Sequence, residues 1–136
     1  MATRHQARIA VVQVLYSIDM GNEDAIKHID EILETKKVRN SQKDFVVTLV
    51  NGILDNIVQI DLAISAKLKE WSLDRIAHFD KALLRLGTYE ILYTKTEKAI
   101  VINEAIEIAK SFSSDTSPKF INGILDKVSN ETMPIA

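Results

Sequence analysis

VINEAIEIAKSFSSDTSPKFINGILDK, residues 101–127, carries two helices and the turn between them. In its first half the polar residues Asn103, Glu104, Glu107, Lys110 and Ser111 recur at i, i+1, i+4, i+7 and i+8. Val101, Ile102, Ala105, Ile106, Ile108, Ala109 and Phe112 are left on a wide apolar arc, so this helix should pack against several neighbours. Glu104 and Glu107 share the narrow polar stripe and read as a solvated face. Ser117 suits an N-cap, and Pro118 would follow at the first helical position, where a missing N–H costs nothing. The second helix then sets Phe120, Ile121, Ile124, Leu125 and Val128 on one side.

The same period extends back to the N-terminus. Thr3-Arg4-His5-Gln6 has the form of a capping box, and Ala7, Ala10, Val11, Val14, Leu15 and Ile18 follow at helical spacing until Gly21. Asn22 is a candidate cap for a helix reaching Thr35, with Ile26, Ile29 and Leu33 as its seam. From Ser41 the apolar period persists through Ile57, Ile60 and Ile64 to Leu68, which predicts one long helix. Gly52 inside it costs roughly 1 kcal/mol relative to Ala, a cost explained by a close helix crossing. Trp71 is placed to seal the joint that follows. FDKALLRLGTYEILY, residues 79–93, reads as a central helix, and Glu90 among its apolar residues needs a buried partner, a neighbouring helix N-terminus or Asn103. No strand is required, and the fold class is all-α with about seven helices.

Composition bounds the chemistry. A chain of 136 residues can bury a core without staples, and zero cysteines exclude disulfides and thiolate metal sites. No apolar run approaches the roughly 20 residues of a membrane span, and the N-terminus lacks the apolar stretch of a signal peptide, so a cytoplasmic location is expected. The formal net charge of −2 gives no global basic footprint. The four glycines stand singly, without a phosphate-binding loop or nucleophile elbow. None of His5, His28 or His78 has a glutamate three residues before it, which removes the di-metal bundle motif. The i, i+4 pairs Asp24/His28 and Asp74/His78 read as surface pairs. No active site, metal or cofactor is indicated.

One local feature stands out: Arg4 and Arg8 lie one helical turn apart along an edge, with Tyr16 two turns further on. By themselves these are ordinary solvated or snorkelling side chains. Four separated blocks change that weighting. Val14-Leu15-Tyr16, Asp80-Lys81-Ala82-Leu83-Leu84-Arg85 leading to Tyr89-Glu90, Ile102-Asn103-Glu104-Ala105 with Ala109-Lys110, and Lys119-Phe120-Ile121-Asn122-Gly123-Ile124-Leu125-Asp126 together resemble the NusB family, in order and over essentially the whole chain.

The resemblance implies two packed antiparallel helical subdomains, residues 1–70 and 71–136, and a non-enzymatic role in transcription antitermination. The implied activity is pairing with a small-subunit ribosomal protein and gripping boxA-type single-stranded RNA of ribosomal RNA operons, so that RNA polymerase passes terminators. By the same likeness Arg4, His5, Gln6, Arg8 and Tyr16 fall in an RNA-contact segment, and Phe120 takes the place of an RNA-facing aromatic. Asp74 and Asp80 fall on the side of the ribosomal partner, and charge reversal at Asp80 is expected to leave stability near wild type. Stacking of splayed bases on Tyr16 and Phe120 would suit single-stranded RNA. Phe120 also fits the apolar period of its helix, so core and RNA-facing readings both stand. The rival function is a protein–protein adaptor or homodimer without direct RNA contact.

Overall fold

In a computed structural model, which describes residues 3–25, 29–35, 41–69 and 72–131, the capping box forms as its sequence dictates. The Gln6 backbone N–H donates to Thr3 Oγ1, the Thr3 N–H donates to Gln6 Oε1, and α1 runs Arg4–Asp19. Met20 caps its far end, and Gly21 turns the chain with φ of 100°, a conformation that only glycine adopts without strain. The helix expected from Asn22 is interrupted: Glu23–Ala25 forms a 3-10 turn, and α2 spans Ile29–Thr35.

The single long helix expected from Ser41 to Leu68 is two helices. α3 (Ser41–Asp55) and α4 (Ile57–Ser65) meet at a 73° bend on Asn56. The Asn56 side chain donates to the Gly52 carbonyl at 2.8 Å, a local alternative that competes with continuing the backbone ladder. Ile53 of α3 and Ile60 and Ile64 of α4 are all buried, although Val58 and Leu62 of α4 are exposed, so hydrophobic spacing alone runs through the bend without a mark. A 3-10 turn at Leu73–Arg75 precedes α5 (His78–Tyr93), followed by α6 (Lys98–Phe112) and α7 (Ser117–Glu131). Seven α-helices and no strand are present among the described residues. No single helix there is long and apolar enough to cross a membrane. Trp71, Ile26 and His28 lie outside the described residues.

α5 is the axis of the molecule. It packs against α1, α3, α4, α6 and α7, and Leu83, Leu84, Leu86, Ile91 and Leu92 on it are buried. Each such leucine stabilises the fold by about 2–5 kcal/mol relative to alanine. Gly52 allows α3 its close approach: a Cβ there would stand 2.1 Å from the Tyr89 hydroxyl oxygen of α5. α6 and α7 are the two helices read from residues 101–127 and pack against each other, with Ile108, Ile121 and Leu125 fully buried. Phe112, placed on the apolar arc by spacing, is half exposed at the end of α6. α7 begins at Ser117, one residue before the expected start. The Ser117 hydroxyl donates to Asp80 Oδ2 at 2.8 Å, so it tethers α7 to α5.

Candidate functional site

Five of the six residues expected to meet RNA lie in two regions of α1, and Phe120 lies apart on α7. Arg4, His5, Gln6 and Arg8 occupy the first turns of α1, while Tyr16 lies about 12 Å beyond Arg8 along the helix axis. Near Tyr16 the start of α5 brings His78 and Phe79.

At the first region, Arg4 and Gln6 are exposed and His5 half-buried, whereas Arg8 turns inward and is only 5% exposed. The shared edge expected for Arg4 and Arg8 therefore divides in exposure, although both guanidinium groups lie over the Phe45 ring, at 4.0 and 5.4 Å from its centroid. Arg8 Nε donates to Glu90 Oε1 at 2.9 Å and Oε2 at 3.2 Å, and Nη1 donates to Glu104 Oε1 at 3.0 Å. Glu104 Oε2 in turn stands 2.5 Å from His5 Nδ1. An ionised carboxylate only accepts, so Nδ1 carries the hydrogen. Among the described residues Arg4 meets an aromatic ring: its guanidinium carbon lies 4.0 Å from the Phe45 ring centroid, the geometry of a cation–π contact.

This arrangement corrects two sequence expectations. Glu90 is satisfied by Arg8 rather than by Asn103 or a helix N-terminus, and Glu104 is an ion-pairing group rather than part of a solvated face. Burial pushes the Glu90 carboxyl above the usual carboxylate range despite the opposing pull of Arg8. No sequence spacing announces the pair, because Arg8 and Glu90 are 82 residues apart.

At the second region, Tyr16, Phe79 and Phe112 form a row from α1 across α5 to α6. Ring centroids are 6.3 Å apart for the first pair and 6.1 Å for the second, and Tyr16 and Phe112 are exposed. Sequence spacing had put Phe112 on the apolar arc, whereas Phe79 between the two exposed rings is partly buried and packs against the core. His78 stands edge-on to Tyr16 and is bonded to Asp19, not to Asp74 as the i, i+4 spacing suggested. Lys81 and Arg85 approach the same Asp19 at 3.2 and 3.5 Å, and Arg85 grips Asp61 through two bonds of 2.9 Å. Burial would raise the Asp19 carboxyl, but the His78 and Lys81 bonds and the Lys81 and Arg85 charges together hold it below its ordinary value.

Asp80 and Phe120 come together beside a cavity of about 380 Å³, lined also by Arg75, Ser114, Thr116 and Ser117. Phe120 is partly buried, packing against the core while lining this cavity. Asp74 is exposed on the neighbouring 3-10 turn. Asp80, by contrast, is buried: its two oxygens accept hydrogen bonds from Ser113 Oγ at 2.6 Å and Ser117 Oγ at 2.8 Å. Charge reversal there would leave both hydroxyls without their acceptor, so the expectation of unchanged stability is withdrawn.

The comparisons with known proteins agree with the architecture. The transcription antitermination protein NusB of Sulfurimonas denitrificans is 54% identical over 131 residues, covering 96% of this chain and 99% of that protein. The solved T. maritima NusB superposes with a TM-score of 0.90 at 36% identity, over 98% of this chain and 94% of that one. A crystal structure of the antitermination factors NusB and NusE in complex with dsRNA matches with a TM-score of 0.86 at 27% identity, over 95% of this chain and 97% of that one. The NusB family model matches residues 5–130. With a helical core, near-complete coverage and this level of identity, the chain belongs to the NusB family.

Proposed function

We propose that this chain is a non-enzymatic transcription antitermination factor that binds boxA-type RNA in partnership with a small-subunit ribosomal protein, in the cytoplasm. The observation that carries this reading is the likeness, across nearly the whole chain, to a NusB solved together with NusE and RNA. The ribosomal protein would stand here where NusE stands in that complex, and RNA polymerase would be reached through the assembly.

The surface chemistry fits such a role. Arg4, lying over the Phe45 ring, and Gln6 offer an exposed cation and an amide to phosphates and sugars, contacts that position RNA without reading sequence. Exposed Tyr16 and partly exposed Phe120 offer aromatic surface near the start of α5. With Arg8 held by Glu90 and Glu104, the isolated chain presents a sparse basic patch, and each phosphate contact adds about −0.7 to the log–log salt slope for a single strand. Fluorescence anisotropy with a boxA-type RNA, with and without the ribosomal protein, tests the proposal. A salt slope of about −2 or shallower is expected for the chain alone, with tighter binding when the partner is present. No binding in either condition would leave the chain a protein–protein adaptor or homodimer.

A further inference from the structure

Glu104 places one carboxylate oxygen on each of two donors that face the N-terminal strip, 3.0 Å from Arg8 Nη1 and 2.5 Å from His5 Nδ1. Two non-bridging oxygens of a phosphate would occupy the same kind of position, since guanidinium and imidazole donors accept either anion. Glu104 is partly exposed, whereas Glu90 behind Arg8 is buried at 1% exposure, so the two acids have different roles. Glu90 shares the single Nε–H of Arg8 between its two oxygens on the buried side, and Glu104 takes Nη1 on the more exposed side. Arg4 and Arg8 therefore share the strip with two acids, Glu90 and Glu104, which meet Arg8 directly.

We propose that Glu104 is an internal competitor of RNA phosphate: it holds the outer donors of Arg8 and His5 and thereby sets a weak, partner-dependent affinity at this strip. The inference rests on the RNA-binding reading above. It predicts that removing one negative charge strengthens RNA binding, and does so most at low salt, where electrostatic attraction is least screened.

The test is anisotropy of a boxA-type single-stranded RNA with wild type, Glu104→Gln, Glu104→Ala, Glu104→Asp and Arg4→Ala, each with the ribosomal protein present. Glu104→Gln removes the charge at nearly constant shape, Glu104→Ala also opens the anion position, and Glu104→Asp keeps the charge. The Gln and Ala variants are expected to bind about fivefold tighter at 50 mM salt and about 1.5-fold tighter at 300 mM, which corresponds to one added phosphate contact and a slope steeper by about 0.7. The Asp variant should stay within about twofold of wild type. Circular dichroism verifies folding, and either the Gln or the Ala variant suffices for the measurement.

Wild-type affinity and slope in the folded Gln or Ala variant would overturn the inference. An equal gain in the Asp variant would do the same, because a lost contact rather than a lost charge would then be responsible. Loss of binding in Arg4→Ala without a gain on removing Glu104 would refute the competitor while keeping the RNA-binding reading. Absence of RNA binding by the wild type with its partner would refute both.

Discussion

Replacing Arg8 by alanine isolates the buried ion pair at the centre of the N-terminal strip. The substitution leaves the Glu90 carboxylate, 1% exposed, without its two guanidinium bonds. Breaking a buried pair from one side costs about 3–5 kcal/mol, because the remaining charge is uncompensated. The orphaned carboxyl has one escape, which is to take up a proton. From an ordinary value near 4.5, neutralisation costs about 3.4 kcal/mol at pH 7 and about 0.7 kcal/mol at pH 5, at 1.36 kcal/mol per unit. The penalty of Arg8→Ala should therefore shrink by up to about 2.7 kcal/mol between these pH values. Against a total stability of about 5–15 kcal/mol, the loss at pH 7 is large enough to measure by urea unfolding followed by circular dichroism.

The double variant Arg8→Met/Glu90→Leu removes both charges at similar volume. It should recover stability to within about 1 kcal/mol of wild type or exceed it. RNA binding provides a second readout: if Arg8 acts by holding the helix, the double variant restores wild-type affinity, whereas a direct phosphate contact would stay lost. A pH-independent penalty below about 1 kcal/mol for Arg8→Ala would refute the buried-pair account.

Three further outcomes follow from the geometry. Asp80→Lys should lose at least about 2 kcal/mol in urea unfolding, since a buried cation would replace the acceptor of Ser113 and Ser117; Asp80→Asn, which can still accept, should lose less. Asp19→Asn should reduce stability at pH 7, and its deficit should vanish in acid. The Asp19 pKa is lowered by folding, so its contribution is present above its ordinary value of about 3.8 and is lost as pH falls through the folded value; unfolding at pH 7, 5, 4 and 3 measures this. Gly52→Ala should destabilise by about 1 kcal/mol, because overpacking against Tyr89 costs about 1–3 kcal/mol and exceeds the gain in helix propensity; the deficit should disappear in a Tyr89→Ala background, as a thermal-melt cycle would record.

The helical fold was legible because its signals are local. The capping box at Thr3, the stop at Gly21 and the apolar periods of α5, α6 and α7 each depend on residues within a few positions of one another. The glycine at 52 announced a close crossing, though not that Tyr89 fills it. The bend at Asn56 was illegible for a corresponding reason: apolar spacing continues through it, and the competing bond from a side chain to the Gly52 carbonyl leaves no periodic trace.

Sequence by itself determined the helical fold class, most of the core-facing positions and, through four motif blocks, the family. Tertiary structure alone decided what the charged residues do. Arg4 and Arg8 are near neighbours on one helix, yet packing of α1 on α5 takes Arg8 out of water and forces a buried carboxylate, Glu90, to meet it. Arg4, one turn earlier, remains exposed on Phe45. Glu104 looked like any solvated acid until α6 brought it to Arg8 and His5. Charge acts through space and its value depends on burial, so the partners of an ionised side chain are fixed only when distant segments have packed.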